Sequence, residues 1–228
     1  STRKQSSAAS DVYKRQDTNY FCERGKFRVG NHIISESDNS HSFEWLSVSD
    51  ILKYSSNVGT TKIAFDLTYP SLKKTLDKLM IGKKTGIELP GESRGILDQK
   101  ENITPLRLSN ISLGQGVATT GIQMLASYAS MANGGYFVKP TLLKIDDENN
   151  IKKTKVFSKK TANDLTEMLE KAVSDGTGKN ARIKHFEIAG KTSTAQRIDE
   201  KGVYSGYISG FIGYPVNIDK KFIVFVYV

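Results

Sequence analysis

Three β-rich runs separated by turns close the chain, at 186–196, 204–214 and 221–228. Their succession predicts an antiparallel meander, because short turns join antiparallel strands whereas parallel ones need long crossovers. The last run, Phe222 to Val228 (FIVFVYV), is continuously apolar, the pattern of a central strand buried on both faces. Upstream the apolar residues recur at helical spacing. Ser47 opens a helix as N-cap, with Asp50 three residues on and Val48, Ile51 and Leu52 on one face. Val58, Ile63 and Phe65 carry the pattern to about Leu67. Ser71 is expected to cap a third helix, with Leu72, Leu76 and Leu79 on one face and Gly82 closing it. Further helices are expected over about 104–112, along Ile122, Leu125, Ala126 and Ala129 to Asn133-Gly134-Gly135, and along Ala162, Leu165, Met168, Leu169 and Val173 to Gly176. Residues 17–46 read as short strands and loops, Thr85 to Leu97 as turns, and 136–157 as a strand pair around a polar turn. The fold class is α+β: a helical subdomain beside an antiparallel sheet.

The first sixteen residues stand apart. Ser6 to Gln16 (SSAASDVYKRQ) reads as the translation of a transposon-library sequencing adapter, so 1–16 is taken as non-native and genuine sequence as starting near Asp17. These sixteen hold four basic residues and one acid; +9 less +3 leaves a net charge of +6 for the remaining 212 residues, enough for one large domain with a real core. A moderate positive charge on scattered lysines suits an anionic surface and argues against nucleic acid. One cysteine, Cys22, excludes an internal disulfide framework and a cysteine-rich metal site. The histidines His32, His41 and His185 have no ligand-like spacing. No apolar run approaches the ~20 residues a membrane helix needs.

The chemistry concentrates in two places. Ser55-Ser56-Asn57 lies in the helical half and Lys191-Thr192-Ser193-Thr194 on the first strand of the meander. Acyl transfer through a serine ester needs a nucleophile, a base, an oxyanion site and a grip on the substrate. Ser55 can relay a proton, since a hydroxyl both donates and accepts, and Asn57 can present an amide to a substrate backbone. Lys191 supplies positive charge beside Ser55 that favours a carboxylate substrate. Thr192 and Thr194 add hydroxyls for that carboxylate, and the Thr194 N–H is a candidate oxyanion donor. Alone, each motif has a plain structural reading, Ser-Ser-Asn as a helix cap or break and Lys-Thr-Ser-Thr as a polar edge strand. Gly176-Thr177-Gly178-Lys179 lacks the spacing of a phosphate loop and follows a helix. Two S-x-x-K patterns occur: Ser1–Lys4 falls in the non-native segment, and Ser71–Lys74 reads as a helix start.

With these motifs in this order the chain resembles the transpeptidase domain of class B penicillin-binding proteins, most closely the cell-division (FtsI-like) branch. The similarity runs over essentially all of 17–228. It includes Cys22 to Gly30 (CERGKFRVG), Leu52 to Ala64 (LKYSSNVGTTKIA), Lys84 to Gly95 (KTGIELPGESRG), Leu113 to Gly135, Gly176 to Lys179 and Ala189 to Gln196. The resemblance implies a penicillin-binding protein/β-lactamase-like fold, an α/β sandwich incomplete at both ends. It implies that Ser55 and Asn57 line the helical side of a cleft and that Lys191, Thr192 and Thr194, with Ser193 between them, line the strand side. It further implies a D,D-transpeptidase that joins D-Ala-D-Ala stem peptides of peptidoglycan in septal wall synthesis, acylated by β-lactam antibiotics. No metal or organic cofactor is called for. A cell-division glycosyltransferase and divisome proteins are the implied partners. The implied location is the cytoplasmic membrane, reached through an N-terminal anchor, with the domain on the extracytoplasmic side.

Three departures qualify the match. The nucleophile-bearing S-x-x-K helix is expected just before Asp17, where the non-native segment stands, so the chain itself is expected to be inactive. Ser193 replaces the usual glycine of the strand motif, a modest enlargement expected to keep function with altered β-lactam reactivity. The family's anchor and pedestal precede this stretch and its last helix follows Val228, leaving an apolar sheet face that predicts poor stability. Two other readings stay open: a β-lactam sensor or inactive peptidoglycan-binding scaffold, and a serine β-lactamase, which needs a water-activating base that the motifs do not nominate.

Overall fold

The computed structural model describes residues 18–228 apart from 39, 101, 148, 150, 199–203 and 219–221, and the backbone alone at 195–198, 204 and 205. The expected non-native segment 1–16 lies outside the described residues. Four short strands lead: β1 (Asn19–Phe21), β2 (Lys26–Val29), β3 (His32–Ser35) and β4 (Trp45–Ser47), with β1 paired to β4 and β2 to β3. Helices α1 (Val48–Tyr54), α2 (Asn57–Leu67), α3 (Tyr69–Lys78), α4 (Pro105–Ser112) and α5 (Gly121–Ala132) follow. The strand pair β5 (Tyr136–Val138) and β6 (Lys153–Lys155) then leads to α6 (Lys159–Ser174). The chain closes on β7 (Ile188–Ile198), β8 (Tyr204–Pro215) and β9 (Val224–Tyr227), an antiparallel sheet in the order β7-β8-β9.

The helix starts follow the capping chemistry of their sequences. Ser47, Ser56, Thr104, Thr120 and Ser158 each accept a backbone N–H of the first turn of the helix they precede. At Thr120 the Gln123 side chain reaches back to complete a capping box. Ser71 does not cap. α3 opens two residues earlier with Pro70 in its first turn, where a missing N–H costs nothing, and Ser71 lies inside the helix. Nor does Gly82 close it. Ile81 N–H returns to the Leu76 carbonyl at 3.0 Å and Met80 takes the left-handed position at φ 60°, because buried Ile81 draws the chain round early.

Four apolar clusters form the core. Those that hold the functional half in place are Tyr20, Cys22, Leu46, Ile51 and Val58 under the α1–α2 junction, and Ala132, Leu169, Ala189 and Tyr214 between α5, α6 and the sheet. Leu52 of α1 packs on the second cluster, so the helical junction and the sheet share a core through α6. Gly59 lets α2 press on α1: a Cβ there would come within 2.5 Å of Ile51.

The meander is antiparallel as expected, with Lys191 opposite Ile212 and Gly210 opposite Tyr227. Among the described residues the last run is an edge strand rather than a central one. β9 pairs with β8 alone among the described residues, and Val224, Val226 and Tyr227 are exposed, as is Phe222 just before it. A continuous apolar run reports that both faces avoid water but not how many strands flank it. Here one face with Ile183, Phe186, Phe211, Phe222 and Val224 borders an open apolar groove of about 560 Å³. Among the described residues no helix is long and apolar enough to cross a membrane.

Candidate active site

Ser55 stands at the turn between α1 and α2. The end of α1 is a Schellman motif: Ser56 N–H returns to the Ile51 carbonyl at 3.0 Å and Ser55 N–H to that of Leu52 at 3.4 Å. The residue at this bend is left-handed, a place that suits glycine. Ser55 holds it at φ 57°, against a steric cost of about 1–2 kcal/mol for an L-residue. Ser56 then N-caps α2. Its hydroxyl accepts from Gly59 N–H at 3.0 Å and donates to Glu36 at 2.7 Å. The other Glu36 oxygen accepts from Asn57 N–H at 2.7 Å, so a buried carboxylate sits on the positive end of α2. The helical wall is thereby pinned on both sides of Ser55.

β7 supplies the opposite wall. Packing of α6 against both α1 and β7 brings together residues 136 positions apart, and the Lys191 ammonium donates to the Ser55 hydroxyl. It also donates to the Thr177 hydroxyl at 3.1 Å and the Thr192 carbonyl at 3.4 Å. All three acceptors are neutral oxygens, and burial pushes the ammonium's pKa from 10.5 down to about 8. Lys191 is therefore mostly charged at neutral pH yet close to releasing its proton. It can act both as an electrostatic anchor and as one end of a proton relay.

Thr177 belongs to this cluster although the sequence reading gave it no role at the site. Its hydroxyl lies 3.2 Å from that of Ser55 and accepts from the Thr192 hydroxyl at 3.2 Å. It stands on the turn that ends α6, where its N–H donates to the Lys53 carbonyl at 3.2 Å and Lys53 pairs with Asp175. Gly176 is required for this approach, since a Cβ there would meet the Lys53 carbonyl at 2.5 Å and that of Ala172 at 2.8 Å. The Gly-Thr-Gly spelling was the available signal, but it acquires meaning only once α6 is known to end against α1. Glu36 was missed for the same reason: its partners Ser56 and Asn57 lie 20 and 21 residues away.

Of the expected residues, Ser55, Lys191 and Thr192 share one hydrogen-bonded cluster. Asn57 is turned to another task, its side-chain N–H donating to the Ser35 carbonyl at 2.8 Å and tying the start of α2 to β3. Ser193 and Thr194 are exposed on β7. Ser193 faces Gly210 across the ladder, where a Cβ on Gly210 would approach the Ser193 hydroxyl to 2.9 Å and the Val226 carbonyl to 3.2 Å. Of the S-x-x-K patterns, the one at Ser71 lies on α3, where Lys73 pairs with Asp77 at 2.7 Å. Ser1 and Lys4 lie outside the described residues.

A helix-junction serine held against a strand lysine, in an α+β domain, matches two of the three motifs shared by penicillin-binding proteins and class A β-lactamases. Comparison with known proteins makes the assignment specific. The family model for the penicillin binding protein transpeptidase domain matches residues 7–228, a range that opens inside the segment 1–16. Stage V sporulation protein D of Bacillus subtilis (strain 168) is 32% identical over 188 residues, covering 78% of this chain and 29% of that protein. Peptidoglycan D,D-transpeptidase FtsI of Buchnera aphidicola subsp. Baizongia pistaciae (strain Bp) is 34% identical over 197 residues, covering 83% of this chain and 34% of its own length. The transpeptidase domain of Burkholderia pseudomallei penicillin-binding protein 3 superposes with a TM-score of 0.88 at 26% identity, over 97% of this chain and 67% of that one. The chain belongs to the penicillin binding protein transpeptidase family, on its FtsI-like branch. It spans about a third of the length of the two curated relatives.

Proposed function

We propose that the chain is the greater part of the catalytic domain of a peptidoglycan D,D-transpeptidase of septal wall synthesis. The reaction joins neighbouring stem peptides. A serine oxygen attacks the penultimate D-alanine carbonyl, the peptide C–N bond breaks, and terminal D-alanine leaves with a proton. The amine of a second stem peptide then attacks the ester, the C–O bond breaks, and the serine recovers its proton. The observation that carries this reading is the Lys191–Ser55 hydrogen bond between the two walls, within a fold of the transpeptidase family.

In this scheme Lys191, with Thr192 and Thr194, receives the terminal carboxylate. Its pKa of about 8 lets Ser55 and Lys191 pass a proton toward the leaving amine. Thr192 turns its carbonyl to the Lys191 ammonium. Residues two apart on a strand direct their backbone groups to the same edge, which supports the Thr194 N–H as an oxyanion donor. Asn57 receives a substrate amide after exchanging its present partner. Ser193 lies beside the bound substrate. The nucleophile comes from an S-x-x-K segment of the intact gene product upstream of Asp17, with 1–16 non-native. The same reading makes β-lactams covalent inhibitors, places the domain outside a membrane that an N-terminal anchor crosses, and makes a cell-division glycosyltransferase and divisome proteins the partners.

The test is labelling of the intact gene product by fluorescent penicillin. Lys191→Ala is expected to bring labelling close to zero, and wild-type labelling kinetics in that variant would remove Lys191 from the site. Absence of an S-x-x-K serine from the intact gene would favour a sensor or scaffold, and fast turnover of a chromogenic cephalosporin would favour a β-lactamase.

A further inference from the structure

We propose that Thr177 is a positioning residue that sets the Lys191 ammonium against the Ser55 hydroxyl, and that the turn closing α6 exists in its present shape to hold it there; its consequence for catalysis rests on the transpeptidase reading. Among the described residues Thr177 is the one side chain in hydrogen-bond contact with all three of Ser55, Lys191 and Thr192. It is on neither wall. Ser55 arrives on the helical junction and Lys191 on the strand, whereas Thr177 comes from the joint between α6 and the sheet.

Its geometry serves this role. A hydroxyl accepts from an ammonium while exchanging a proton with a neighbouring hydroxyl, which neither a methyl nor an acid can do without changing the local charge. Thr177 accepts from Lys191 at 3.1 Å and from Thr192 at 3.2 Å, leaving its own proton for Ser55 at 3.2 Å. The backbone beneath it is locked three times. Thr177 N–H donates to the Lys53 carbonyl and Gly178 N–H to that of Ala172 at 2.8 Å, while the Lys53–Asp175 pair closes over the turn. Lys53 lies two residues before Ser55, so the contact that carries Thr177 also references it to the helix end that carries Ser55. The turn is exposed at Thr177 itself, where packing has no reason to select a particular side chain. A hydroxyl there is explained by its partners.

The experiment follows the Lys191 amine in the 228-residue chain by competitive acetylation against pH, read by mass spectrometry. Lys191 in the wild type is expected to titrate near pH 8. Thr177→Val keeps the shape and removes the acceptor, so the charged form loses a partner and the midpoint is expected to fall by about half a pH unit. Thr177→Ser is expected to restore it. A Thr177→Val midpoint equal to wild type, or a failure of serine to rescue, overturns the proposal. Should Thr177→Val not fold, the wild-type chain carrying 13C-threonine decides: the Thr177 Cβ resonance is expected to move with the Lys191 midpoint, and a flat trace overturns the assignment. None of these readings uses penicillin, so a negative labelling result in the intact protein speaks against the transpeptidase reading alone.

Discussion

The two walls of the candidate site are built by opposite means. The helical wall is over-determined by short-range chemistry: a Schellman turn, an N-cap at Ser56 and a buried carboxylate at Glu36 converge within a few residues of Ser55. The strand wall has no such local anchors. Lys191 owes its place to the β7–β8 ladder and to α6, and its charge is penalised by burial, with no carboxylate in contact among the described residues. Local bonds hold the hydroxyl at a strained bend, while long-range packing holds the ammonium where it is least comfortable. Strain and desolvation are thus divided between the walls, as expected where a site trades stability for reactivity.

Removing the carboxylate tests the helical side hardest. Glu36→Ala leaves the Asn57 N–H and the buried Ser56 hydroxyl without their charged partner, and is expected to cost about 3 kcal/mol in urea unfolding. A loss below about 1 kcal/mol would show the junction to be held by packing instead. On the strand side the sign reverses. The folded pKa of Lys191 is depressed, so between about pH 8 and 10.5 the unfolded chain binds a proton that the folded chain does not, and stability rises with pH. Relative to Lys191→Met, the wild-type chain is expected to gain about 2 kcal/mol across that window, discounting the full shift for partial exposure. Parallel pH–stability curves would mean that Lys191 is not penalised by burial. The smallest effect concerns the bend itself. Ser55→Gly and Ser55→Ala both lose the hydroxyl, but only glycine relieves a left-handed backbone, so the glycine variant is expected to be the more stable by about 1 kcal/mol. Equal melting temperatures would place the strain elsewhere.

Much of this was legible in the chain because the controlling forces are short-range. The caps at Ser47 and Ser56, the α5 stop at Asn133-Gly134-Gly135 and the turn-separated strands depend on neighbours within about five residues. The failures share one cause. Ser71 reads as a cap until Pro70 is allowed to start the helix, and Gly82 reads as a stop until buried Ile81 is seen to pull Met80 into the bend. The run at 222–228 reads as central, and among the described residues it has one neighbour, because hydrophobicity reports burial demand and not strand order. The Asn57 side-chain N–H finds its partner in the Ser35 carbonyl, 22 residues away, a contact no local pattern announces.

Composition and spacing, taken alone, settled the α+β class, the order of the elements and the two motifs worth bringing together. Folding in three dimensions decided that they touch, that Thr177 joins them, and that Glu36 stands beneath the helix. The physical reason is range: capping and periodicity are written in adjacent residues. A hydrogen bond across 136 positions exists only because α6 packs simultaneously on α1 and β7.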